Sequence, residues 1–153
     1  MKLESRKPLT IAYIEYIGSY GKIPFGQYMS ELYGWAKKNK IMPGFHPMGI
    51  FMSDPKKTPP EECRTEIAIP IYGKGKPEGE IKVRKLPAMK VAAYSHKGPG
   101  SEYQNSYNKI TEWVKENKYS IAGPAIEVYS KMPETVNGEM IIYAKIMMPV
   151  KKR

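Results

Sequence analysis

The heptapeptides GWAKKNK, Gly34–Lys40, and EWVKENK, Glu112–Lys118, share a tryptophan, a lysine two residues on and a closing Asn-Lys pair. Setting Trp35 on Trp113 brings much of the chain into line with itself. ESRKPL (Glu4–Leu9) falls near KVRKLP (Lys82–Pro87), and Gly18 of YIEYIGSY falls near Gly98 of AAYSHKGPG. MGIFMSD (Met48–Asp54) meets IEVYSKM (Ile126–Met132), pairing Phe51 with Tyr129, and Ile69-Pro70-Ile71 meets Met148-Pro149-Val150. Self-similarity at a fixed period predicts repeated supersecondary units. The expectation is a tandem duplication within a single domain, 1–153. Repeat 1 covers about 1–72, a Gly-, Pro- and Lys-rich linker about 73–80, and repeat 2 about 81–153.

Each half reads as β-α-β-β, with an optional leading strand. LTIAYIEYI (Leu9–Ile17) and MKVAAYSH (Met89–His96) carry the β-branched and aromatic residues of strands. A helix follows in each. The first starts at about Pro24, a residue suited to the first helical position, with Phe25, Met29, Leu32 and Ala36 at helical spacing and Trp35 at the margin. The second starts at Ser101, where Ser101 and Gln104 make a capping-box pattern, with Tyr103, Tyr107, Ile110 and Val114 as its stripe. Two strands close each half, Met48–Ser53 with Arg64–Ile71, and Ala125–Ser130 with Glu139–Met148. The expected class is α+β: a pseudo-two-fold, curved or partly barrel-like antiparallel sheet with the helices on one face.

Composition narrows the function. The 153 residues are 41% hydrophobic, enough for a core, and no apolar run approaches the roughly 20 residues that cross a bilayer. No signal-peptide pattern opens the chain, so no membrane association is expected and the location expected is cytoplasmic. The lone Cys63 suits a reducing compartment and reads as a small structural thiol. The net charge of +10 is dispersed and lacks a helix-turn-helix, zinc-finger or RNP-type motif, so direct DNA binding is not expected. The two histidines, His46 and His96, fall in separate halves and read as loop or surface residues. No metal cluster and no cofactor motif stands out.

Strand alternation sorts the remaining side chains. Ile142, Ala144, Ile146 and Met148 face the helices, as do Ile67 and Ile69. Tyr143, Lys145 and Met147 face away, with Arg64, Glu66 and Ala68. On the neighbouring strand, Glu127 and Tyr129 are assigned to the face away from the helices, with Phe51 as repeat partner. Two readings of Glu127 stand side by side. It is the acid of an aromatic-lined groove for a flat, cationic ligand, or it is a structural ion pair with Lys145 or Arg64.

MGIFMSDPKKTPPEECRTEIAIPI (Met48–Ile71) resembles the GyrI-like family, the effector-binding domain of AraC-type and MerR-type regulators. The resemblance lies in Asp54-Pro55, Thr58-Pro59-Pro60-Glu61 and Arg64-Thr65-Glu66. It continues through Gly98-Pro99, the Trp113 helix, Gly123-Pro124 and the Glu127-Val128-Tyr129 strand, over nearly the whole chain. The resemblance implies two βαββ modules around a groove that binds small molecules, and in drug-sensing members a buried glutamate of an E-[IV]-Y strand meets aromatic cations. That role falls here on Glu127.

The expected function is a stand-alone, multidrug-type binding module for an amphipathic aromatic or cationic ligand, held in a groove between the two repeats. Glu127, Tyr129, Phe51, Tyr143, Glu66, Tyr13 and Trp113 are its candidate ligand residues. Two alternatives follow from the same resemblance. One is a hydrolase of reactive cyclopropane-type compounds using Glu127 with Tyr143 or Tyr129. The other is a protein-binding inhibitor of the DNA gyrase type, acting on gyrase or alongside a regulator. A binding role is preferred to an enzymatic one, because no Ser-His-Asp or Cys-His pattern is present.

Overall fold

The computed structural model describes residues 1–153 apart from Phe45 and Pro55, with Met132 described by its backbone alone. The Pro55 half of the Asp54-Pro55 pair therefore lies outside the described residues. In chain order the elements are β1 (Lys2–Arg6), β2 (Leu9–Ile17), α1 (Phe25–Lys38), β3 (Met42–Pro43), β4 (Met48–Phe51) and β5 (Arg64–Tyr72). There follow β6 (Lys82–Leu86), β7 (Met89–Pro99), α2 (Tyr103–Glu116), β8 (Tyr119–Ile121), β9 (Ala125–Val136) and β10 (Glu139–Lys152). Among the described residues, two α-helices packed on antiparallel strands make the protein α+β, as expected. The chain forms two compact units, Pro8–Pro87, and Ala88–Arg153 together with Met1–Lys7.

In the unit Pro8–Pro87, β5 lies between β4 and β2, and β6 pairs along the outer edge of β2. Ala12 sits opposite Ile69 and Ile14 opposite Ile67. Residues opposite one another share a face, and this face packs beneath α1. Its core joins Ala12, Ile14, Ile67, Ile69 and Ile71 to Leu32, Trp35 and Ala36. Trp35 lies inside that core, 3% exposed, rather than at its margin. A Cβ at Gly75 would come within 2.7 Å of its indole, so the loop passing over this ring admits only a glycine there.

In the other unit, β10 lies between β7 and β9, with β8 pairing its C-terminal end and β1 lying along β7. Here α2 covers Ala92, Ile146, Met148 and Val150 through Ile110 and Val114. The register slips between Ile141 and Ala144, where β10 carries an irregularity opposite β9.

The repeated Asn-Lys pair closes both helices in one way. Asn39 Nδ2 donates to the Trp35 carbonyl at 2.8 Å, and Asn117 Nδ2 to the Trp113 carbonyl at 2.8 Å. Lys40 and Lys118 then take left-handed backbone, φ 55° and 61°. After α1, the Ile41 amide reaches back to the Ala36 carbonyl and the Lys40 amide to that of Lys37, the Schellman pattern.

The start of α1 falls within a residue of Pro24, but that of α2 differs from expectation. Ser101 lies inside a 3-10 turn, Gly100–Glu102, and the residue preceding α2 is Glu102, which makes no side-chain cap bond. The Tyr103 amide donates instead to the Gly100 carbonyl, and Gln104 donates to Asn108 at 2.9 Å. The 3-10 turn thus leads into α2 through a backbone bond rather than through a capping box. The Pro60–Glu62 stretch likewise forms a 3-10 turn, and Cys63 beyond it is buried, as a structural thiol should be.

Candidate functional site

Glu127 lies opposite Ile146, and Tyr129 opposite Ala144. Ile146 belongs to the core beneath α2, so Glu127 and Tyr129 point toward the helix. This corrects the face expected from alternation. The expectation treated a carboxylate as excluded from an apolar, helix-covered face. The structure admits it because the covering helix brings hydroxyls with it. Tyr107 Oη donates to Glu127 Oε2 at 2.5 Å, and Tyr129 Oη donates to Oε1 at 3.2 Å. Tyr103, four residues before Tyr107 on α2, adds its ring to the same cluster. Glu127 is 5% exposed, and no ion pair to it occurs among the described residues.

Burial alone would make this an expensive place for a charge. Desolvation pushes the Glu127 carboxyl above its usual range, while the hydroxyls of Tyr107, Tyr129 and Tyr103 pull the other way. The phenols respond in kind. Tyr129 is held well above its ordinary value by burial and by the charge of Glu127, and Tyr103 is raised for the same two reasons. The cluster is a carboxylate ringed by neutral phenols, with aromatic faces at hand: Tyr103 and Tyr107 lie 6.4 Å apart, tilted by 42°.

The other candidates stand elsewhere. Tyr143 lies on the face of β10 away from α2, where its hydroxyl donates to Glu134 at 2.9 Å and the ammoniums of Lys131 and Lys97 sit 4.9 and 5.8 Å from its ring. Of the two tyrosines named for acid chemistry, only Tyr129 bonds Glu127. Trp113 stacks on Tyr119 at 6.1 Å, near the C-terminal end of α2. Phe51, Glu66 and Tyr13 belong to the unit Pro8–Pro87. Phe51 lies opposite Thr65 and meets Tyr20 edge-on at 5.1 Å, while Tyr20 itself donates to the Ser53 carbonyl. Glu66 is 5% exposed and takes both Nε and Nη2 of Arg84, whose guanidinium lies 5.4 Å from the Tyr13 ring. Glu66 is thus held in an ion pair. No group of metal-ligating side chains occurs among the described residues.

Reading the chain for acids and strands missed Tyr103, Tyr107 and His96. The two tyrosines stand four residues apart on the helical stripe, where spacing alone predicts packing; their hydroxyls are the signal of a polar role. His96, expected in a loop or at the surface, is a buried strand residue instead. It lies in β7, 4% exposed, stacked on Tyr103 at 4.3 Å.

The profile of the GyrI-like small molecule binding domain matches residues 1–151. Over 129 residues, 84% of this chain and 87% of the relative, the sequence is 27% identical to the SPbeta prophage-derived putative transcriptional regulator YosT of Bacillus subtilis (strain 168). The EcmrR C-terminal domain superposes with a TM-score of 0.78 at 20% identity, over 99% of this chain and 97% of that one. Against EcmrR as solved in its DNA complex, this chain spans 57% of the partner's length. SAV2435, solved bound to tetraphenylphosphonium, superposes with a TM-score of 0.59 at 16% identity, over 98% of this chain and 93% of that one. At these identities the solved structures speak to the fold, and it is the full-length profile match that decides membership: the chain belongs to the GyrI-like small-molecule-binding domain family.

Proposed function

We propose that this chain binds an amphipathic organic cation with aromatic groups, and that Glu127 is its counter-charge. One observation carries the reading: a carboxylate buried on a helix-covered face is held by tyrosine hydroxyls, with no ion pair among the described residues. A structural glutamate in a core is normally matched by a cation or replaced by an apolar residue. This one is kept in a form to which a cation can be added from outside.

The surrounding rings suit such a guest. A cation over a tyrosine face gains about 0.5–2 kcal/mol, and the low dielectric strengthens its attraction to the carboxylate. Hydroxyls now on Glu127 give way to the cation when it binds. The aligned positions in the other unit support a dedicated role. Where this unit has Tyr103, Tyr107, Glu127 and Tyr129, the pairing of Trp35 with Trp113 sets Phe25, Met29, Gly49 and Phe51, with neither hydroxyl nor carboxylate. The neighbouring protein solved with tetraphenylphosphonium makes that cation a sensible probe.

Isothermal titration of the chain with tetraphenylphosphonium tests the reading, with Glu127→Gln as the comparison. Saturable binding by the native chain and its loss in the variant are expected. No binding by the native chain, or equal binding by both, ends the proposal.

A further inference from the structure

Tyr103 is the first residue of α2, and no side chain caps that end. The opening of a helix frays unless something outside it holds the turn. One flank is a cleft of about 370 Å³ whose lining is mostly polar and includes His96, Ser106, Lys97, Glu102 and Lys109 beside Tyr94. Yet Tyr103 has to be placed well enough for its ring to stand beside Tyr107, which bonds Glu127.

His96 supplies the hold. Its ring lies 4.3 Å from that of Tyr103 at an interplanar angle of 9°. Its Nδ1 is 2.7 Å from Ser106 Oγ, on the first turn of α2, and its Nε2 is 3.3 Å from the Gly98 carbonyl. A carbonyl can only accept, so in the neutral ring Nε2 carries the hydrogen, and Nδ1 accepts from the Ser106 hydroxyl. Both nitrogens are thereby engaged, and the ring cannot turn without losing both bonds. His96 and Ser106 are 4% and 7% exposed, so most of the surface of each is covered by protein although both border the cleft.

We infer that His96 is a positioning residue of the Glu127 site: it fastens the first turn of α2 to β7 and fixes the ring of Tyr103 beside the carboxylate. The inference rests on the reading of that site as a cation site. It assigns His96 no contact with the ligand and no proton transfer. What it contributes is order in a helix end that lacks a cap, so that the aromatic wall is set before the guest arrives.

Titration of the full chain with tetraphenylphosphonium decides it, using four variants and their thermal midpoints. His96→Ala removes stack and anchor together and is expected to weaken binding roughly tenfold. Ser106→Ala keeps the ring but frees it, a gentler change expected to weaken binding about threefold and to decide the matter should His96→Ala not fold. The double variant His96→Phe, Ser106→Ala restores a planar ring and leaves no orphan hydroxyl, and it is expected to bind within about threefold of the native chain. Glu127→Gln is expected not to bind. If His96→Ala binds as the native chain does while Glu127→Gln does not, the inference falls and the cation site stands. If the double variant binds as poorly as His96→Ala, the stack is not the cause and the inference falls again. Should His96→Ala fail to fold, native-like binding by Ser106→Ala overturns it. A native chain that takes up no tetraphenylphosphonium removes both the site reading and this one.

Discussion

The phenol of Tyr107, on α2, donates to Oε2 of Glu127, on β9, at 2.5 Å. This bond ties the helix to the strand below it through a polar contact beside the apolar core of Ile110, Val114 and Ile146. Removing the hydroxyl by Tyr107→Phe keeps the ring and takes one donor from a carboxylate that is 5% exposed. A buried acceptor left short of a donor costs about 1–3 kcal/mol. Urea unfolding of Tyr107→Phe should show a loss in that range. An unchanged midpoint would mean that the bond contributes nothing net.

Binding of a cation should depend on pH in a defined direction. Desolvation raises the Glu127 carboxyl above its ordinary value of 4.5, so its charge appears only as pH climbs past that value. Affinity for tetraphenylphosphonium should therefore rise with pH through this window and then level off. Stability runs the opposite way. A carboxyl whose folded value is raised contributes fully below its unfolded value, and the contribution is lost as pH rises through the folded one. Glu127→Gln should therefore gain on the native chain in stability between acid and neutral pH, while losing cation binding by about 2–5 kcal/mol. Calorimetry and chemical unfolding at several pH values check both slopes; a pH-independent affinity contradicts the assignment of Glu127.

The α+β class was legible because period-2 and period-3.6 patterns are local. Leu9–Ile17 appears as a strand over the same residues, and Leu32, Ala36, Ile110 and Val114 are buried as their spacing requires. The faces of β5 and β10 were legible too, since Ile67, Ile69, Ile146 and Met148 left no other choice. The face of β9 was not. Alternation sets Glu127 and Tyr129 apart from Ile126 and Val128, but which pair turns toward the helix depends on register with β10, a nonlocal fact. Charge points to the wrong side, because Tyr107, which satisfies Glu127 from the helix, lies twenty residues upstream on another element. The burial of His96 was hidden for the same reason, its partner Ser106 being on the next helix.

Glu66 and Arg84 offer a contrast to Glu127. Both carboxylates are 5% exposed, but Glu66 has a guanidinium bonded through two nitrogens. Arg84→Ala leaves that carboxylate buried without its charge partner. Breaking a fully buried pair costs about 3–5 kcal/mol, and the partial exposure of Arg84 reduces this to about 2–3 kcal/mol. Glu66→Gln combined with Arg84→Met removes both charges and should recover most of the loss. Unfolding free energies of the three proteins test this, and a double variant no better than Arg84→Ala would show that the charge left behind is not the cause.

The Asn-Lys pairs that end both helices carry a cost that can be removed. Lys40 and Lys118 have φ of 55° and 61°, where a Cβ crowds the following carbonyl. A glycine meets no such penalty at this position, and the bonds that close the turn are made by backbone amides and by the Asn39 and Asn117 side chains, not by the lysine side chains. Glycine does lose more freedom on folding, which offsets part of the gain. Lysine at a helix C-terminus also helps by a few tenths of a kcal/mol through the dipole. The strain relief is the larger effect, about 1 kcal/mol, so Lys40→Gly and Lys118→Gly should each stabilise by about 0.5 kcal/mol. The two sites share no partner, so their effects should add. The double variant should unfold at measurably higher urea with an unchanged m-value; a lower midpoint would show that the lysine charge outweighs the backbone strain.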